Sequence, residues 1–121
     1  MLVRPLRFIR FLSLTATRDG ANVSAYRRPM GYQQILAATL AASTPLTLPS
    51  VSNSGYVPGY VIIQCEVTSA GVRWRDDGTD PSSTVGMILS TGQELDYSGD
   101  LTMIRFITQA GSPILNISYY A

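Results

Sequence analysis

Alternation of apolar and polar residues dominates this chain and is sharpest near its C-terminus. From Ile114 to Tyr120, the residues Leu115, Ile117 and Tyr119 fall on one side and Ile114, Asn116, Ser118 and Tyr120 on the other. A half-buried strand imposes that period of two. Similar short runs occupy Gln33–Leu40, Thr44–Leu48, Tyr60–Val67, Val72–Arg75, Val85–Leu89, Glu94–Tyr97 and Leu101–Thr108. Turn formers separate them: Pro45, Pro49, Ser52-Asn53-Ser54-Gly55, Pro58-Gly59, Ala70-Gly71, Asp77-Gly78, Thr91-Gly92, Ser98-Gly99 and Gly111-Ser112-Pro113. Runs spaced at roughly ten residues predict an all-β domain, an antiparallel β-sandwich or jelly-roll-like barrel. Two runs depart from simple alternation. In Leu101–Thr108 both phases carry large apolar residues, which predicts a strand covered on both faces. Alanines from Ala37 to Ala42 give the first run helical propensity, so a single helical turn there stays open.

The run Val72-Arg73-Trp74-Arg75-Asp76-Asp77-Gly78-Thr79-Asp80-Pro81 reads as a strand entering a tight turn. Val72 and Trp74 alternate with Arg73 and Arg75, which predicts one apolar and one cationic face. Trp74 is then expected to pack into the core, with either arginine bonding a turn carboxylate or the neighbouring strand's carbonyls. Asp76, Asp77 and Gly78 supply turn chemistry, since Asp side chains bond nearby backbone and glycine tolerates positive φ. Pro81 restricts its own φ and that of Asp80.

This stretch, continued by Val85-Gly86-Met87, resembles the RWRDDG-T-P…VGM signature of small structural proteins of tailed bacteriophages and prophages. So do the later segments Tyr97–Ile107 and Leu115–Tyr120. The resemblance spans Met30 to the C-terminus. It implies a virion structural protein assembled in the host cytoplasm. Its first expected role is capsid cement or decoration, as a homo-oligomer (dimer or trimer) bound to the major capsid protein or other virion subunits. A tail, baseplate or head–tail joining component, or a carbohydrate-binding host-attachment module, are the alternatives.

Composition sharpens the organisation. Charged residues make up 14% of the 121 residues, against about 25% in an average soluble protein. Much of the surface is therefore neutral or covered by partners. All nine basic residues are arginine and histidine is absent; arginine suits interfaces because its planar fork matches carboxylates. Residues 1–28 hold six arginines (Arg4, Arg7, Arg10, Arg18, Arg27, Arg28) against Asp19, a net of +5. The remainder sets three arginines against seven acids, a net of −4. That opposition predicts a basic N-terminal arm or extension over 1–29 and a β-domain over 30–121, with the six arginines as partner-binding residues. The arm could alternate as a strand or carry its arginines on one side of a helix. Protein contact is favoured over nucleic acid, because no recognition motif or basic body stands behind the arm. Arg7 and Arg10 interrupt the apolar stretch Leu6–Leu14, so no signal-peptide core forms. No apolar run reaches the roughly 18–20 residues of a membrane span.

Candidate chemistry is sparse, and the chain is read as a non-enzyme without catalytic, cofactor or metal residues. Lacking histidine, it has no Ser-His-Asp or Cys-His machinery. Cys65, the single cysteine, sits in an apolar run and reads as a buried thiol. Asp76, Asp77 and Asp80 lack the spacing of a calcium loop, and Asp96 with Asp100 gives only a weak carboxylate pair for glycosidase chemistry. Trp74, Tyr97, Tyr119 and Tyr120 could form a sugar platform, but core or interface packing is the stronger reading.

Overall fold

A computed structural model describes residues 27–51, 55–66 and 71–121. The arm's Arg4, Arg7, Arg10 and Arg18 lie outside the described residues. Among the described residues eight strands follow in order: β1 (Pro29–Ile35), β2 (Thr44–Pro45), β3 (Tyr60–Cys65), β4 (Gly71–Arg75), β5 (Met87–Ser90), β6 (Glu94–Tyr97), β7 (Arg105–Ala110) and β8 (Leu115–Tyr120). They form two four-stranded sheets, ordered β1-β8-β3-β6 and β2-β7-β4-β5, and every pairing is antiparallel. The fold is a β-sandwich.

The core lies between the sheets. Leu115, Ile117 and Tyr119 of β8 meet Val61, Ile63 and Cys65 of β3 on the inner face of the first sheet. Val72, Leu89 and Phe106 face them from the second, with Leu40, Leu101 and Ile104 closing the ends. Alternation along β8 decides its orientation, its odd-numbered residues buried and its even-numbered ones half-buried. Tyr119, an inward residue of β8, has a polar end, and its hydroxyl donates to Gln33 Oε1 at 2.6 Å. The same oxygen accepts the Thr47 amide at 3.1 Å. Burial pushes the Tyr119 phenol up to about 12, because the anion would lose hydration.

Two of the runs, Gln33–Leu40 and Leu101–Thr108, fall differently from the alternation pattern. The first strand begins at Pro29, ahead of the expected Gln33, and Arg28 extends its ladder by exchanging two backbone bonds with Ala121. Proline is tolerated there because β1 is an edge strand. The alanine-rich end of that run leaves the sheet as a 3-10 turn, Thr39–Ala41, which drives Leu40 into the core. Leu101–Met103 is a turn rather than strand. Asp100 Oδ1 accepts the Thr102 amide at 2.9 Å and its hydroxyl at 2.6 Å, so the strand starts only at Arg105. The β7 strand is buried on one face by Phe106, while Arg105, Ile107 and Gln109 on its other face are only half-covered.

Candidate functional site

The RWRDDG run forms β4 and the turn after it, and its charges are spent on local bonds. Arg75 grips Asp77 with two prongs, Nε to Oδ1 at 3.1 Å and Nη2 to Oδ2 at 2.6 Å. Asp77 Oδ1 also accepts the Thr79 amide at 3.3 Å, and Gly78 takes the positive φ of 86° that the turn demands. These bonds hold the Asp77 carboxyl below its usual range, the Arg75 contact foremost. On the same outer face, Arg73 reaches the loop before β5, donating to the carbonyls of Ser83 at 3.1 Å and Gly86 at 2.8 Å. One arginine locks the turn and the other clamps the loop. The carboxylate bond is of the kind expected from the sequence, whereas Arg73 finds loop carbonyls ahead of β5 rather than carbonyls within the neighbouring strand.

Trp74 points the other way, toward the core, but it is half-buried rather than enclosed. Its ring meets Tyr97 edge-on, with centroids 6.0 Å apart. Tyr97 in turn donates to Asp76 Oδ2 at 2.7 Å. Burial and then this carboxylate raise the Tyr97 phenol well above its ordinary value. This Trp74–Tyr97–Asp76 chain joins β4, the inner strand next to β5, to the edge strand β6 of the other sheet. Beside it opens a groove of about 520 Å³ lined by Trp74, Val85 and Met87 and rimmed by Arg75, Asp76 and Asp77. Asp80 is engaged elsewhere, accepting from Ser43 Oγ at 3.0 Å. The three turn acids therefore serve three separate partners. Among the described residues, no three His, Cys, Asp or Glu side chains gather around a common point.

The four aromatics of the sugar-platform reading do not share a surface. Tyr119 and Tyr97 are core residues, Tyr120 lies on the outer face of the first sheet, and Trp74 lines the groove at the other edge. A different set occupies that outer face, one that alternation places there but long-range pairing alone brings together. Gln34, Asn116, Gln64 and Glu94 lie in one cross-strand row, and Tyr32, Ser118, Ile62 and Asp96 in the next. Asn116 is held by Tyr32 Oη, donating to its Oδ1 at 2.5 Å, and by its own Nδ2, donating to Glu66 at 2.9 Å. A shallow cleft of about 200 Å³ runs between Tyr32 and Glu94 over Ile62 and Ser118. Glu94 is raised above its ordinary value, first by sharing a hydrogen bond with Asp96.

Two arm arginines are described, and both sit on aromatics of the sandwich. The Arg27 guanidinium lies 3.8 Å over the Tyr60 ring and Arg28 lies 4.2 Å over Tyr56, within cation–π range. Cys65 is fully buried, and burial raises its thiol, which keeps it protonated and unreactive. Asp96 and Asp100 serve different structures, a sheet face and a turn cap. Comparison with family models, with curated proteins and with solved structures returned no match.

Proposed function

We propose that this chain is a non-enzymatic virion structural protein of a tailed bacteriophage or prophage. Within that class it is a capsid cement or decoration protein, contacting the head shell through its β-domain and basic arm. The sequence signature supports the class. The observation that carries the assembly role is the apolar rim at one sandwich edge, where Val85, Met87 and Ile88 are 52%, 60% and 51% exposed beside the Trp74 groove. In a chain so poor in charge, such a patch supports a surface made to be covered. The strand orders support the finer fold reading as well. The eight described strands, ordered 1-8-3-6 against 2-7-4-5, favour a jelly roll, in which two Greek keys are wound together.

Counting copies in purified particles tests the role. A copy number comparable to that of the shell protein is expected; a handful per particle would move the protein to the tail or head–tail joint, and absence from particles would overturn the proposal. Glycan attachment is the second reading. The cleft between Tyr32 and Glu94 favours it, since amide, hydroxyl and carboxylate groups beside a tyrosine suit a sugar ring's hydroxyls and apolar face. A glycan screen of the full chain, repeated with Asn116→Ala, separates the two.

A further inference from the structure

Among the described residues the sandwich has four sheet edges, and three of them are blunted. At the first-sheet edge, β1 carries Pro29 and a register shift between Pro29 and Gly31. The Thr47 amide bonds β1's Gln33, and Pro49 packs against Gly31. At the opposite edge β6 presents Glu94 and Asp96, so two such edges brought together would set carboxylate against carboxylate. In the second sheet β2 is two residues long and ends at Pro45. Short strands, prolines, register shifts and charges are the devices by which proteins stop edges from pairing. The fourth edge, β5, has none of them: Met87-Ile88-Leu89-Ser90 holds no charge and no proline, and its pairing with β4 runs without a shift.

Its backbone is also oriented for a new partner. The Ser90 amide donates to Gln93 Oε1 at 2.8 Å, and the Ser90 carbonyl accepts the Gln93 amide at 3.0 Å. Both groups are therefore turned away from β4. The alternation of an antiparallel ladder then turns the Ile88 amide and carbonyl to the same open side.

We propose that β5 is the edge through which two copies of this chain join, strand against antiparallel strand, around a two-fold axis at Ile88. This inference rests on the assembly reading above and names its surface. Pairing centred on Ile88 sets that residue against its counterpart and Met87 against the second copy's Leu89. The strand is uncharged along its length, so self-pairing brings no like charges together. On the outer face the row Ile107–Arg73–Ile88 continues into the second copy. On the other face, the exposed Met87 and the groove beside Trp74 are covered by the incoming strand. The rim's Asp77 is already paired with Arg75, which limits repulsion where the copies approach.

Sedimentation velocity of the full chain over a concentration series tests this. A concentration-dependent dimer is expected, weakened at least tenfold by Ile88→Lys and unaffected by Val57→Lys, an exposed position in the β2–β3 connection. A thermal melt of each variant checks that it is folded. Ile88→Cys should form a disulfide-linked dimer on mild oxidation. Hydrogen-bonded antiparallel neighbours lie about 5.5 Å apart between Cα atoms, within disulfide reach, and Cys65 is too buried to compete. A chain that stays monomeric at every concentration, or a dimer indifferent to Ile88→Lys, overturns the inference. So does a monomer whose Ile88 amide is protected from hydrogen exchange, because the chain's own residues would then cover the edge. A shell-like copy number in particles with a monomeric free chain would reject this surface and leave the assembly role standing.

Discussion

Strands β5 and β6 follow one another in the chain, have four residues each, and both end a sheet, yet they meet solvent in opposite ways. On β6 the outward positions are Glu94 and Asp96, close enough to share a hydrogen bond. On β5 the outward positions are Ile88 and Ser90, flanked by exposed Met87. Edges of equal length thus carry charge on one side and an uncharged, largely apolar strip on the other. An unpaired edge is a hazard unless it is defended or used, so the contrast separates a defended edge from one left open to a partner. The residues between them join the two: Trp74, under β5, meets Tyr97, the last residue of β6.

The strongest way to break the comparison is to remove the core that holds both edges in place. Phe106, fully buried on β7, touches the shared interior, and Phe106→Ala should cost about 3–5 kcal/mol. A denaturant melt should show one cooperative transition moved to lower midpoint; two separate transitions would mean the sheets, and so their edges, are independent.

Trp74→Ala tests the contact by which β4, the support of the β5 edge, meets the β6 edge. The ring is half-buried, so the loss should be about 2 kcal/mol, roughly half that of a fully enclosed aromatic. A melt indistinguishable from the parent would show that the Tyr97 contact contributes nothing. The variant should also weaken self-association, because the indole lines the groove beside β5.

Exchanging the charges sharpens the contrast. Glu94→Gln with Asp96→Asn makes β6 as neutral as β5, and light scattering should show more association than the parent. The single change Glu94→Gln has a pH signature. The folded carboxyl of Glu94 is raised, so its favourable contribution is complete below the unfolded value near 4.3 and is lost as pH rises through the folded value. The variant should therefore gain on the parent at neutral pH, and the gain should vanish toward pH 4.

Asp77→Asn should have the smallest effect, because the Arg75–Asp77 pair is solvent-exposed and screened. The folded carboxyl is depressed, so its contribution is present above the unfolded value near 3.9 and fades as pH falls through the folded one. Parent and variant melts should differ slightly at pH 7 and converge in strong acid. A difference that persists in acid would show that the turn depends on Asp77 for more than its charge.

Much of this architecture was legible from local pattern. Period-two alternation in Leu115–Tyr120 fixes which side chains enter the core, because successive strand residues point to opposite faces. Asp77-Gly78 announces its turn through one side chain that bonds backbone and one residue that accepts positive φ. Where local competition was close, the pattern misplaced the ends. The Asp100 side chain captured the Thr102 amide and delayed β7 to Arg105, while β1 gained Pro29 to Tyr32 only through pairing with β8, a partner far away in sequence.

Which strands became edges was a property of the assembled sheets, since nothing inside a four-residue run states who its neighbours will be. Long-range pairing put Met87–Ser90 beside β4 with its other side open, and Glu94–Tyr97 beside β3 in the opposite sheet. It also sent Arg73 to the Gly86 carbonyl and gathered Tyr32, Asn116 and Glu94 around one cleft. The sequence determined the faces and the turns, through side-chain period and backbone preference. Tertiary structure decided the edges and the clefts, because both are made by residues that meet only when distant strands pair.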